Sequence, residues 1–252
     1  MKINRTLLGH AAVLTLLAGL WELLVRTGVL NSFFVSSPSA IALALLGLFR
    51  DKDTAILVHA AKSLRNLAAG YSLAVLAAVL LGVPAGYFNG IYRNVRVYAR
   101  MLYSVPPIAY IPLVILWLGI GELSKIGMVF IMTFFTVFMA AMEAARSVNR
   151  ELSDVCRVYG AGPARTLFYL VLPACARPII AGAKLGVGRA VGGMLLGETF
   201  GIPEGLGYLL FHFGASYMIS RLLGVLAIVM ALSIALFYAL DLLENKLVKW
   251  SA

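Results

Sequence analysis

The sequence predicts an all-α polytopic membrane protein with six transmembrane helices, and three observations carry that prediction. Of its 252 residues, 62% are hydrophobic and 13% charged, about half the charged share of an ordinary soluble chain. The mean hydropathy is +0.93. The apolar residues gather into runs of about 20, the length at which a helix rising about 1.5 Å per residue crosses a hydrocarbon core about 30 Å thick. The excess of 21 Lys+Arg over 11 Asp+Glu raises nucleic-acid binding in a soluble protein. On so apolar a chain it reads instead as an orientation signal, because cytoplasmic loops collect Lys and Arg. Cys156 and Cys175 are too few for a disulfide framework or a zinc site.

The first run, residues 7–25, follows Lys2 and Arg5. It is longer than the apolar stretch of a signal peptide, and Trp21 and Glu22 stand where small cleavage-site residues belong, so it reads as a retained anchor. Residues 26–65 read as two short helices about an Asp51-Lys52-Asp53 turn. In the second, Leu57, Ala61, Leu64, Ala68 and Tyr71 form a stripe with Lys62 and Arg65 off it. That pattern predicts an interfacial amphipathic helix whose basic side meets lipid headgroups before it runs into the second span. The second, third and fourth spans follow at 68–88, 101–120 and 126–142, and the sixth at 222–243. The fifth, 179–200, carries Lys184, Arg189 and Glu198 among six glycines. It is expected to be buried among other helices, with its GxxxG spacings at Gly182/Gly186, Gly188/Gly192 and Gly193/Gly197 permitting close packing, including against a second copy.

With the N-terminus inside, twelve of the 21 basic residues fall on the cytoplasmic side: Lys2, Arg5, Arg93, Arg96, Arg100, Arg146, Arg150, Arg157, Arg165, Arg177, Lys246 and Lys249. The bias predicts that both termini are cytoplasmic. Its weak point is the basic segment from Arg26 to Arg65.

Several chemistries are absent. No Gly-x-x-x-x-Gly-Lys-Ser/Thr loop occurs, and residues 119–125 lack the Gly-Lys pair, so ATP binding in that manner is not expected on this chain. His10, His59 and His212 have no second ligand at metal spacing, so no metal site is expected. No Ser, His or carboxylate constellation stands out within the spans, which argues against an intramembrane enzyme.

The inner segment 143–177 is the most informative. Ser153 is placed to cap a short helix with Asp154 in its first turn, Gly160 and Gly162 to end it, and Pro163 to start the next. Such a helix at the membrane face suits the groove of a soluble partner; a plain basic loop is the other reading. In the third span, Pro106 and Pro107 remove two backbone donors, which is tolerated only beside protein or a water-filled cavity. Residues 104–110, with Ser104 and Tyr110 at either end, therefore read either as a path-lining break or as a structural kink.

The inner segment resembles the cytoplasmic motif of binding-protein-dependent ABC importer permeases: a Glu-Ala-Ala triplet, then a Gly, then a Leu-Pro. Here the register gives Asp154-Val155-Cys156, then Tyr159-Gly160-Ala161, then Leu170 and Leu172-Pro173, with the opening triplet drifted. The literal Glu143-Ala144-Ala145 is a decoy, because the required Gly position is Asn149. Ser37-Pro38-Ser39, the 104–109 run with Pro112, the Trp117 to Lys125 string and Gly205-Leu206-Gly207-Tyr208 are similar to the nitrate, sulfonate, taurine and bicarbonate branch. The resemblance implies a type I importer permease core at 67–252, after an N-terminal helix with amphipathic additions at 1–66. It implies a coupling helix in which Asp154, Val155, Cys156, Tyr159, Gly160, Ala161 and Pro173 engage an ATPase. The implied partners are a second copy of the chain, two ATPase subunits holding ATP and Mg, and an extracytoplasmic binding protein, in the cytoplasmic membrane of a bacterium. No cofactor is implied on this chain.

Counting from residue 179, Lys184 lies about 8 Å deep and Arg189 about 15 Å deep at 1.5 Å per residue. A midplane Arg normally faces a partner or a cavity. Arg189 therefore either attracts an anionic substrate, with Ser104, Pro106, Pro107, Tyr110, Lys184 and Glu198 along the path, or pairs structurally with Glu198, Glu22 or Asp241. The branch resemblance favours a small organic or inorganic anion. A neutral heterocyclic vitamin precursor and an ATP-independent transporter are the alternatives.

Overall fold

The computed structural model describes residues 2–51 and 54–247, without the side chains of 2–8, 11, 243 and 245–247. Lys52, Asp53 and Lys249, and the side chains of Lys2, Arg5 and Lys246, which entered the charge reading, lie outside the described residues. In chain order the helices are α1 (Lys2–Arg26), α2 (Pro38–Arg50), α3 (Ile56–Tyr87), α4 (Asn89–Ser104), α5 (Tyr110–Leu118), α6 (Glu122–Ser147), α7 (Arg150–Val158), α8 (Pro163–Thr166), α9 (Leu172–Ala174), α10 (Ala176–Thr199), α11 (Leu206–Ala215) and α12 (Ile219–Leu247). A 3-10 turn, Pro107–Ala109, precedes α5 and a π turn, Leu167–Val171, precedes α9.

The core is α3, α6 and α10. In a bilayer no hydrophobic force drives helices together, so close packing through small residues does the work. Gly70 faces Ile126 and Val129, Gly82 faces Phe138 and Ala141, and Gly86 faces Met142 and Ala145, so α3 and α6 run parallel. Gly182 meets Ala140, Gly193 meets Met128 and Gly197 meets Lys125, so α10 runs antiparallel to α6. At Gly86 an added Cβ would lie 2.0 Å from the Met142 carbonyl oxygen. The two glycine pairs Gly182/Gly186 and Gly193/Gly197 are thus used within the chain. Around Gly188 there is open space, and Leu185 beside it is 72% exposed.

This arrangement gives the bundle two ends. At the α7 end α3 and α6 finish and α10 begins; at the α11 end the reverse holds. Two parallel helices need a return crossing between them, and α4 with α5 supplies it. The third span, expected at 101–120 with a break at its proline pair, is a pair of helices, α4 and the segment Pro107–Leu118, bent by 92°. The bend falls where Pro106 and Pro107 lack the N–H groups that would continue the ladder. Among the described residues four helices, Ile56–Tyr87, Glu122–Ser147, Ala176–Thr199 and Ile219–Leu242, are individually long and apolar enough to cross a membrane, and the bent pair, taken as one span, makes a fifth. The expected first anchor is the 25-residue α1, tied at its last turn to the start of α2 by hydrogen bonds from Ser39 to Glu22.

The expected amphipathic helix before the second span needs correction. It is the first part of the continuous 32-residue α3, and its basic residues have partners within the protein. Leu57 and Leu64 are exposed, while Lys62 pairs with Glu204 at 2.7 Å and Arg65 pairs with Glu122. Protein carboxylates, not lipid headgroups, take its basic side.

Candidate docking and translocation sites

At the α7 end, the short helix predicted in the inner segment is present, but its cap lies four residues earlier than expected. Asn149 Oδ1 accepts from the Glu151 amide at 2.9 Å, Glu151 is the first-turn acid, and Ser153 is buried within the helix. The C-terminus is as the glycine suggested. Gly160 has φ +80, its amide donates to Arg157 O at 2.9 Å, and the Ala161 amide donates to Cys156 O at 2.9 Å. This is the paired closure of a Schellman ending, which needs a left-handed residue and so favours glycine. Asp154 pairs with Arg157 at 3.1 Å in solvent, and Cys156 is half-buried. Leu152, Val155, Val158 and Tyr159 are exposed, the last two by 85% and 87%. They form an apolar face with no partner among the described residues. Pro163 opens α8 and Pro173 lies in α9. Beyond them Val171 and Cys175 pack with Val83, Ala141, Ala144 and Ala145, which anchors the segment to the core.

On the open side of α10 the Pro break and Arg189 meet. Arg189 Nη2 donates to Tyr103 Oη at 3.2 Å, and its Cζ lies 5.4 Å from the Tyr103 ring centroid. Tyr110 Oη donates to Leu102 O at 2.6 Å, bridging the break, and Ser104 Oγ donates to Met101 O at 2.7 Å. Tyr103, Pro107, Tyr110, Phe135 and Arg189 share a cavity of about 20 Å³, enough for one water. The 104–110 break and Arg189, chosen separately from the sequence, therefore meet at Pro107 and Tyr110, while Ser104 and Pro106 belong to the break but do not line the cavity. Tyr103 was not chosen, and only the fold brings it there.

Lys184 and Glu198 lie elsewhere. Lys184 is held by Asp241 and Glu244 of α12. Glu198 is fully buried at the α11 end, accepting from Ser63 Oγ at 2.7 Å and from the Gly207 amide at 2.8 Å. Glu22 is taken by Arg26 and Ser39. All three carboxylates considered as partners for Arg189 are thus engaged by other groups.

The Glu198 cluster is a site that sequence reasoning missed. Ser63 Oγ also accepts from the Leu206 amide at 2.8 Å, His59 Nδ1 accepts from the Gly205 amide at 2.9 Å, and Lys125 Nζ donates to Glu204 O at 2.9 Å. Three successive amides at the start of α11 thereby find acceptors, as buried backbone donors must. Gly205 has φ +108, and a Cβ there would lie 2.2 Å from Glu198 Cδ. That close approach accounts for the first glycine of the Gly205-Leu206-Gly207-Tyr208 string. Ser63 and His59 carry no signal of their own in the sequence.

The binding-protein-dependent transport system inner membrane component family matches residues 74–249. The chain belongs to this family. Its relatives include the taurine transport system permease protein TauC of Escherichia coli (strain K12), 27% identical over 98% of this chain and 91% of that one. A protein named as an aliphatic sulfonates transport permease, SsuC of Bacillus subtilis (strain 168), is 27% identical over 92% of this chain and 83% of its own length. The formylaminopyrimidine transport permease protein ThiX of Halalkalibacterium halodurans is 24% identical over 99% of this chain and 98% of its own. A chain from the inward-facing MetNI methionine ABC transporter superposes with a TM-score of 0.62 at 19% identity, covering 73% of this chain and 94% of that chain. That likeness shows the type I ABC importer permease fold.

As a binding-protein-dependent permease, the chain carries within the matched residues α7, the Pro break, Arg189 and Glu198. Ser63 and His59, which complete the buried cluster, precede the match.

Proposed function

We propose that this chain imports a small organic or inorganic anion, such as a sulfonate, taurine, nitrate or bicarbonate, as the membrane subunit of an ATP-driven importer. The observation that carries the reading is Arg189. Its guanidinium is fixed by the Tyr103 hydroxyl and ring beside a helix break, and the carboxylates considered for it are engaged elsewhere. A midplane cation so placed serves a passing anion and is costly otherwise. The similarity to TauC and SsuC supports that substrate class. The similarity to ThiX supports a second reading, a neutral heterocyclic precursor, for which the Tyr103 ring rather than the Arg189 charge would be the contact.

ATP and Mg belong to two separate ATPase subunits, which dock on the exposed α7 face around Asp154, Val155, Cys156, Tyr159, Gly160 and Ala161, with Pro173 behind it. The permease core is 67–252, supported by the match at 74–249. A second copy of the chain lies against the open side of α10, and a solute-binding protein delivers substrate at the α11 end. The α7 end is cytoplasmic in the inner membrane of a bacterium, and both termini lie on that side. The distribution of Lys and Arg supports this orientation: Arg93, Arg96, Arg100, Arg146, Arg150, Arg157, Arg165 and Arg177 lie at the α7 end, against Arg26, Arg50, Lys62, Arg65, Lys125 and Arg221 at the α11 end. At the α11 end Arg26, Lys62, Arg65 and Arg221 each have a carboxylate, in Glu22, Glu204, Glu122 and Asp51. At the α7 end Arg96 and Arg100 share Glu143, Arg157 takes Asp154, and Arg146 and Arg150 share a neutral Asn89 oxygen.

The test is reconstitution with the ATPase and binding protein encoded beside the gene, followed by uptake of taurine, an alkanesulfonate and formylaminopyrimidine. ATP-dependent anion uptake is expected. Uptake that proceeds without the ATPase overturns the importer reading, and preference for the neutral solute overturns the anion reading.

A further inference from the structure

A second cavity, of about 460 Å³, opens at the α7 end between the last turns of α3 and α6 and the helix α7. Its charged lining is Arg146 from α6 and Arg150, Asp154 and Arg157 from α7, with Asn89 across from them. Arg146 Nη1 and Arg150 Nη2 both donate to one acceptor, Asn89 Oδ1, the latter at 3.1 Å. The Arg146 guanidinium is further held over the Tyr92 ring, 4.9 Å from its centroid. Arg157 takes Asp154 at 3.1 Å. Three guanidiniums and one carboxylate thus line the cavity; the carboxylate pairs with Arg157, and the other two guanidiniums converge on a neutral amide oxygen.

That convergence is what an anion would relieve. Two cations held to one uncharged acceptor repel each other, and a guanidinium has five donors, most of them left over from a single hydrogen bond. An oxyanion with several acceptor oxygens satisfies both cations at once, and guanidinium matches phosphate in bidentate geometry. The cavity volume falls within the range of small-ligand sites. Its level is also informative: the spanning helices α3 and α6 end at its rim, and Phe88 and Ile91 beside it are exposed apolar surface. Basic pockets between helix ends at a membrane face take anionic lipid headgroups.

We propose that this pocket binds a phosphate group, presented by the headgroup of an anionic phospholipid or as free phosphate, and that the bound group bridges Arg146 at the end of α6 to Arg150 and Arg157 on α7. Binding is read without transport, so the proposal stands or falls separately from the substrate reading.

The full-length chain, purified with its co-purifying subunits, is placed in nanodiscs of phosphatidylcholine alone or with phosphatidylglycerol, and its thermal midpoint is measured. In parallel it is held in lipid-depleted detergent with inorganic phosphate or chloride at matched ionic strength. A rise of about 2–4 °C with phosphatidylglycerol but not with phosphate identifies the lipid headgroup, and a rise with inorganic phosphate identifies the free ion. Either supports the site. Arg146→Gln with Arg150→Gln should abolish the rise, and Arg165→Gln, the same kind of charge loss on α8, should keep it. No rise in the wild type in any arm overturns the proposal whether or not the variants fold. An equal loss of the rise in Arg165→Gln overturns it as well, because it makes the effect one of general surface charge.

Discussion

Ser63 and Glu198, 135 residues apart in the chain, share a 2.7 Å hydrogen bond in the protein interior. Because Ser63 also accepts from Leu206 and Glu198 accepts from Gly207, this pair fixes α3, α10 and the start of α11 at one point. The end of the bundle opposite α7 is therefore held by polar bonds, in a region where water does not compete for them.

Removing Ser63 should show how much that point contributes. Ser63→Ala leaves the Leu206 amide without its acceptor and Glu198 with one donor fewer, at a cost of about 1–3 kcal/mol for an unpaired buried group. Gly205→Ala should cost more, since it combines a left-handed backbone position with a Cβ placed 2.2 Å from Glu198 Cδ. Thermal unfolding of the purified chain ranks the two. A Gly205→Ala protein more stable than Ser63→Ala would show that the cluster yields easily.

Spans, the Pro break and the α7 helix were legible because each is a local property: run length, missing N–H groups, and glycines at a fixed distance. What was not legible was which neighbour each face meets. Periodicity placed Lys62 and Arg65 off the apolar stripe of α3, but the carboxylates that pair with them, Glu204 and Glu122, come from distant segments. The α7 cap was misplaced by choosing Ser153 over Asn149, two residues equally suited to capping. Arg189 was recognised by its depth alone, whereas Tyr103, which positions it, is one of 11 tyrosines and is distinguished only by the fold.

Tyr103 should matter for substrate affinity through Arg189. Tyr103→Phe keeps the ring under the guanidinium and removes the 3.2 Å hydrogen bond, a loss of about 1.5 kcal/mol or more for a bond involving a charged group. In reconstituted uptake, KM for an anion should rise about tenfold with little change in maximal rate, and Arg189→Gln should exceed it. Unchanged anion affinity in Arg189→Gln would remove this locus from the path.

The two cysteines should separate cleanly. Cys175 is 1% exposed and burial pushes its thiol up to about 11, so little reactive thiolate forms at neutral pH. Cys156 lies half-buried on α7. A maleimide at pH 7 should label Cys156 and spare Cys175, and bound ATPase should protect Cys156. Labelling that is indifferent to the ATPase would place the docking surface elsewhere.

Acid should weaken the α11 end through Glu204. The hydrogen bond from Lys62 holds the Glu204 carboxyl below the ordinary glutamate value. A depressed carboxylate contributes stability that is complete above its unfolded pKa, about 4.3, and is lost as pH falls through the lower folded value. The thermal midpoint of the wild type should therefore hold steady from neutrality to about pH 5 and fall below it. Lys62→Met should lower the neutral value and flatten the fall, and a slope identical to the wild type would locate the acid sensitivity in other carboxylates.

Glu143, a decoy in the motif, has a mechanical position. Tyr92 Oη donates to it at 2.9 Å, and Arg96 and Arg100 approach it at 3.7 and 3.6 Å. All three belong to α4, whose far end carries Tyr103, while Glu143 sits one turn before the end of α6 and close to α7 in the chain. On the proposed docking, movement of α7 by an ATPase would reach α4 through Glu143, and α4 would move Tyr103 against Arg189. Glu143→Gln retains an acceptor for Tyr92 and removes the attraction for both arginines. These are half-exposed ion pairs, worth about 0.5–1 kcal/mol together after screening, so anion uptake should fall about two- to fivefold while binding-protein-stimulated ATP hydrolysis continues. Parallel loss of hydrolysis and uptake would instead place Glu143 in ATPase docking, and unchanged uptake would show that α4 takes its motion from another contact.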